Sequence, residues 1–179
     1  MLRINFPWQR QHAAIRRAAE KAYRSLMKAA LVPEPYKAGW VPDTFEARAG
    51  MVTAHSAVMV VRLADIGSPS SVRLVGAIND LVLDGFDAAY RELGVGDAAI
   101  ARKVRKLAEF HSGGGKAIVD TLKGDDETVE ALAVVLQRNG YVTPGGGRPV
   151  AELLDGALAR FRQQNDHSVL QGSFDWPQA

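Results

Sequence analysis

The chain has 179 residues, of which 47% are hydrophobic and 23% charged, with a net charge of +2 and no cysteine. Those proportions fit one globular domain with a sizeable core and exclude a disordered chain. The absence of cysteine excludes disulfides, thiolate metal sites and thiol catalysis. The charge is unevenly spread: residues 1–40 hold eight Lys/Arg against two acidic side chains, and the remainder holds 14 basic and 18 acidic ones. A basic arm on an acidic body points to an anionic partner for the arm.

Residues 1–8 read as a mobile N-terminal arm. Arg3 and Asn5 interrupt any signal-type hydrophobic run, so no secretory leader is expected. A first helix is expected over about Gln9–Leu31, because Ile15, Ala19, Ala22, Tyr23, Leu26, Met27 and Ala30 recur at three- and four-residue steps. Val32-Pro33-Glu34-Pro35 ends it. Asp43 or Thr44 caps a second helix that runs to Ile66 and stops at Gly67. Its longest apolar stretch, Val52–Leu63, is interrupted by Thr53, His55, Ser56 and Arg62, and reads as too short and polar to span a bilayer.

Ser68-Pro69 opens a third helix that ends at Leu93-Gly94. A fourth covers about Ala98–Phe110 and is expected to break at Gly113-Gly114-Gly115, with a short continuation over Lys116–Leu122. Asp125-Asp126-Glu127 favours the start of the next helix, which ends near Asn139-Gly140. After a Gly- and Pro-rich loop, a last helix covers about Val150–Gln164, and the polar tail is expected to fray. No strand pattern emerges. The expectation is all-α: a single-domain bundle of about six to seven helices with short connections over residues 9–165, followed by a polar tail over 166–179.

Two chemical-looking motifs fail on context. Gly94-Val95-Gly96-Asp97-Ala98-Ala99 matches a dinucleotide fingerprint, which requires a preceding strand, yet a long helix precedes it. Gly115-Lys116 resembles the end of a phosphate loop, but Phe110 stands at the first glycine and Ala117 at the magnesium-holding Ser/Thr. The four histidines, His12, His55, His111 and His167, include no pair at the spacing of a helical metal site, and there is no Gly-x-Ser-x-Gly elbow. The chain therefore reads as a binding protein rather than an enzyme, with no cofactor implied and no specific DNA binding.

Three stripes carry information. Arg10, Arg17, Lys21, Arg24 and Lys28 share one face of the first helix. They read either as a solvated face or as a contact for anionic lipid or ribosomal RNA, with Arg102, Lys103, Arg105 and Lys106 extending that surface. Arg48, His55 and Arg62 recur at steps of seven on the second helix. Asp80, Asp84, Asp87 and Arg91 share a face of the third. A short turn joins these two helices, so they should pack antiparallel and the two stripes should meet in part, with His55 at least half buried. That seam reads as structural, as a recognition groove, or as a metal site using His55, Asp84 and Asp87.

The run Tyr36–Thr44, with Val41-Pro42-Asp43-Thr44, followed by Arg48 and His55 and closed by Arg62-Leu63, resembles the ubiquinol–cytochrome c chaperone family. So do Asp84-Gly85-Phe86-Asp87, then Arg91-Glu92-Leu93-Gly94-Val95-Gly96-Asp97, then Lys103-Val104-Arg105-Lys106-Leu107, in that order, with Arg138-Asn139 as a weaker signal. The resemblance covers roughly residues 23–165. Ala47, Ala49-Gly50 and Phe110–Gly115 depart from the family pattern. The resemblance implies a helical assembly factor for the respiratory bc1 complex (ubiquinol–cytochrome c reductase). It would bind newly made cytochrome b or another bc1 component near membrane or ribosome, beside a small partner protein or as a homodimer. The lack of a transit-peptide pattern points to a bacterial, cytoplasmic protein, expected to be peripheral to the inner membrane. Arg48, His55, Arg62, Asp80, Asp84, Asp87, Arg91, Glu92 and Asp97 are the residues expected to form the client-binding or structural seam. Two alternatives stay open: a metal-binding helical protein and a generic interaction module.

Overall fold

Eight helices make up most of the described residues of the structure, a computed structural model that describes residues 7–94, 96–124 and 128–177. Residues 1–6 of the expected arm, and the side chains of Arg10 and Asp97, lie outside the described residues. In chain order the helices are α1 (Pro7–Ala30), α2 (Glu34–Lys37), α3 (Phe45–Ile66), α4 (Pro69–Glu92), α5 (Asp97–Leu122), α6 (Thr128–Arg138), α7 (Gly147–Gln163) and α8 (Asp166–Leu170). No strand occurs among the described residues. The all-α bundle expected from the sequence is what forms.

The local signals act as their chemistry dictates. Thr44 accepts a hydrogen bond from the Ala47 backbone N–H at 3.2 Å and so caps α3, while Gly67 closes it in the left-handed conformation (φ 62°). Ser68 and Ser71 cap α4 reciprocally, side chain to backbone in both directions. A short helix that the sequence reading did not include, α2, follows the break after α1, with Pro35 in its first turn.

α3 is the axis of the bundle. It packs against α1, α4, α5 and α7, and its buried residues run almost without interruption from Ala47 to Leu63. A helix that is apolar all round must be buried, in a core or in lipid. By length and composition α3 would suffice to cross a membrane, but 78% of its most apolar window is buried inside the bundle. Here the helix serves as the core.

Two expectations are corrected. The break at Gly113-Gly114-Gly115 does not exist, because α5 runs through it unbroken to Leu122. The reason is close packing: a Cβ on Gly114 would lie 1.9 Å from the Tyr141 hydroxyl oxygen, and a Cβ on Gly50 of α3 would lie 2.6 Å from Tyr141 Cδ1. The two glycines make the slot that holds the fully buried Tyr141 ring, and that packing outweighs a helix-propensity cost of about 1 kcal/mol per glycine. The tail does not fray either. Asn165 caps α8 by accepting from the His167 N–H, and Val169 and Phe174 are buried. Residues 171–177 return along the bundle, tied by the Arg160–Asp175 ion pair and by Lys21 donating to Ser173 Oγ at 2.5 Å.

Candidate functional site

The expected polar seam does not form as one unit. On α4 the buried positions Leu74, Ile78, Val82 and Phe86 recur at four-residue steps and face inward. Asp80 and Asp84 follow Ile78 and Val82 by two residues, roughly 200° around the helix, and are exposed. Asp87 is half-buried and pairs with Arg91 at 2.6 Å, within the same helix. Glu92 is exposed. None of these acids meets the α3 stripe.

The three α3 residues have separate partners. Arg48 bonds Asp43 at 2.7 Å and lies 4.8 Å above the Tyr36 ring. Burial is the main cause that pushes the Tyr36 phenol up to about 12. His55 is 9% exposed, and its Nδ1 lies 2.8 Å from the Met51 carbonyl oxygen, which makes Nδ1–H the donor in that bond. Its ring packs at 5.2 Å from Trp176, and burial lowers its pKa to about 4, so the imidazole is neutral. Arg62, 5% exposed, donates from Nε to the Phe161 carbonyl at 2.7 Å and from Nη2 to the Gln164 carbonyl at 2.9 Å, and pairs with Asp166. It thus satisfies the carbonyls at the end of α7, where helix geometry leaves acceptors open and favours a cation. Of the readings open for the stripe, the contacts of Arg62 are those of the structural one, with α7 and α8 as partners instead of α4. His55, Asp84 and Asp87 do not converge, and no group of three or more His, Asp or Glu fit to hold a metal occurs among the described residues.

The basic stripe is present. Arg17, Lys21, Arg24 and Lys28 are exposed along α1 and form no salt bridge with a described residue. Arg102, Lys103, Arg105 and Lys106 are exposed on α5, with the Lys103 ammonium 5.5 Å from the Tyr90 ring centroid. α1 and α5 each pack on α3 and α4, so the two basic sets occupy different edges of that pair.

Between those edges lies an apolar groove of about 190 Å³, walled by Tyr23 and Met27 of α1 with Leu31 just past its end, Phe45 and Val52 of α3, and Val82, Phe86 and Ala89 of α4. Gly85 brings α4 close to α1, since a Cβ there would lie 2.3 Å from the Tyr23 hydroxyl. Asp84 and burial together raise the Tyr23 phenol pKa, burial being the larger cause. The Phe45 and Tyr90 rings, 4.7 Å apart, separate this groove from a second hollow of about 270 Å³ lined by Glu46, Tyr90, Lys103, Lys106, Leu107 and Phe110. Sequence reasoning singled out the charged neighbours and missed this apolar floor. The signal was the aromatic pair at the facing ends of two helices, and pairing them required knowing the register.

A model of the ubiquinol-cytochrome C chaperone family matches residues 38–176. The crystal structure of the Cbp3 homolog from Brucella abortus superposes with a TM-score of 0.80 over 96% of this chain and 94% of that one, at 24% sequence identity, a likeness of fold. No curated protein gives a significant match. Because the family match spans most of the sequence, the α3 and α4 walls of the groove included, the chain belongs to the ubiquinol-cytochrome c chaperone family.

Proposed function

We propose that the protein assists assembly of the respiratory bc1 complex by holding an apolar helical segment of newly made cytochrome b in the groove between α1, α3 and α4. The observation that carries this reading is the composition of the groove. Among its lining residues only Tyr23 and Arg48 bring polar groups, whereas Asp84 lies close enough to Tyr23 to raise its phenol pKa, second only to burial, and Lys103 and Lys106 line the neighbouring hollow beyond Phe45 and Tyr90. An apolar floor with a charged rim suits an amphipathic or membrane-destined helix, which contributes side chains at three- and four-residue spacing to such a groove. Tyr36–Thr44 and Asp84–Leu107, which carry the family resemblance, flank it. The protein acts by binding, without chemistry of its own.

The basic α1 face, Arg17, Lys21, Arg24 and Lys28, orients the groove toward an anionic surface. Each such residue near a lipid headgroup layer contributes about 1 kcal/mol, so the protein works at the cytoplasmic side of the inner membrane. Met27→Glu tests the groove, because it places an unpaired charge on the apolar floor. It should leave the helical fold intact and lower the amount of assembled bc1 complex in cells. Normal bc1 levels with the folded variant as the sole copy would reject the reading. For the basic face, binding to anionic liposomes and to ribosomes is titrated against salt; retention on neither at low salt would remove that part of the account.

A further inference from the structure

A second cavity, of about 510 Å³, shares no lining residue with the groove. Its walls come from Met51 and His55 of α3, Leu153 and Ala157 of α7, and Phe174 and Trp176 of the returning tail. Ser25, Lys28 and Glu34 stand at its edge. Its volume is that of a small-molecule site rather than a packing defect. The hydrogen bonds in the cavity are largely spent. Ser25 donates to the Ala22 carbonyl at 2.9 Å, and Trp176 Nε1 reaches Ser25 Oγ at 3.4 Å.

His55 is different. With Nδ1–H given to the Met51 carbonyl, its Nε2 carries a lone pair, and no described residue donates to it. The nitrogen is not sealed from solvent, since among the described residues the Tyr141 hydroxyl is the one fully buried side-chain polar atom without a hydrogen bond. His55 Nε2 borders an open apolar cavity, with a cation at the rim: Lys28 is exposed and forms no ion pair with a described residue. Glu34 stands on the same rim and repels any anion placed beside it, which directs an anionic head toward Lys28.

We propose that this cavity binds a single-chain anionic amphiphile with a free hydroxyl, the chemistry of a lysophospholipid. The hydroxyl donates to His55 Nε2, the phosphate meets Lys28, and the acyl chain lies against Met51, Leu153, Phe174 and Trp176. The inference is independent of the client groove, and its failure leaves that reading untouched.

The test is calorimetry on the full chain with myristoyl lysophosphatidic acid below its micelle concentration, alongside Trp176 fluorescence in a Trp8→Phe, Trp40→Phe background. Saturable one-to-one binding with a change in Trp176 emission is expected. Tetradecyl phosphate, which has a comparable chain and no hydroxyl, should bind the wild type about tenfold more weakly, the loss expected for one buried acceptor left unpaired. His55→Phe should erase that difference, and Lys28→Gln should weaken both probes in a salt-dependent way. The two-probe comparison on wild-type protein needs no variant to fold. Equal affinity for the two probes, binding that leaves Trp176 silent, or no saturation below the micelle concentration would each overturn the proposal. So would phosphatidic acid vesicles that reproduce the Trp176 signal unchanged in His55→Phe, since that result assigns the signal to a membrane surface.

Discussion

Gly114→Ala is the most informative single change to the fold. In an ordinary helix interior it should stabilise by about 1 kcal/mol, the propensity difference between the two residues. Here the new methyl group would stand 1.9 Å from the Tyr141 hydroxyl oxygen and 3.0 Å from Cζ. The ring has no retreat: Gly50 packs on its other side, and Phe110 lies edge-on at 5.0 Å. Overpacking of this kind costs about 1–3 kcal/mol, so the net result should be destabilisation by roughly 1 kcal/mol, against the propensity trend. Tyr141→Phe supplies the control. The Tyr141 hydroxyl is buried without a hydrogen bond among the described residues. Thr53 lies near enough to lower the phenol's pKa, although burial dominates and raises it to about 12. However, the Thr53 hydroxyl gives its proton to the Ala49 carbonyl at 2.9 Å and meets His111 Nδ1 at 2.8 Å, so it has no proton left for the Tyr141 oxygen. Tyr141→Phe alone should therefore be nearly neutral, and the double variant should recover most of the loss, since its closest approach relaxes to Cζ. Urea unfolding followed by circular dichroism measures all four corners of the cycle, and each kcal/mol moves the melting temperature by about 2–4 °C in a chain of this size. A Gly114→Ala protein as stable as wild type, or a double variant additive within about 0.4 kcal/mol, would refute the slot.

Arg62→Met should cost about 2 kcal/mol, because it strands the Gln164 carbonyl and removes one of two donors from the Phe161 carbonyl, which keeps the Gln164 N–H at 3.1 Å, and the loss should appear in urea midpoints with little change in slope. Stability should fall with acid through His55. Its folded pKa lies below the ordinary 6.5, at about 4, so the unfolded chain takes up a proton first. The stability that neutral His55 preserves is complete above pH 6.5 and is lost progressively toward pH 4, by about 3 kcal/mol in all. His111, also lowered by burial, acts in the same direction. His55→Phe should flatten that part of the profile, and an unchanged slope of unfolding free energy against pH would contradict it. Deleting residues 171–179 should lower the melting temperature by several degrees, because it uncovers Phe161, which packs against both Phe174 and Trp176; a tail without structural weight would leave it unchanged.

Helix ends were legible in the sequence because they depend on local chemistry. Thr44, Gly67, Ser68 with Pro69, and Asn139-Gly140 each stop or start a helix at a position their side chains or backbone freedom determine. The glycine triplet misled because propensity is a weak local term, and Gly114 is held in α5 by a ring from residue 141. The tail misled because its composition is polar on average, while Val169, Phe174 and Trp176 supply the contacts. The polar seam failed on rotation. Stripes on two adjacent helices meet only if both face the shared interface, and the apolar positions of α4, read at four-residue steps, already assigned its acids to the outside. His55 was legible as buried from its apolar neighbours, but Trp176, which packs on its ring, lies 121 positions further along the chain. The client groove combines α1, α3 and α4, and no periodicity on one helix encodes that.

The central claim is that the α1–α3–α4 groove receives cytochrome b. A photo-reactive amino acid placed at Met27 on the groove floor, with the same probe at exposed Val134 on α6 as the comparison, tests it in cells assembling the bc1 complex. The account predicts a cytochrome b adduct from position 27, lost when Met27's neighbour across the groove is changed by Ala89→Glu, and none from position 134. Cytochrome b captured equally from both positions, or from neither while the folded protein is abundant, would contradict it.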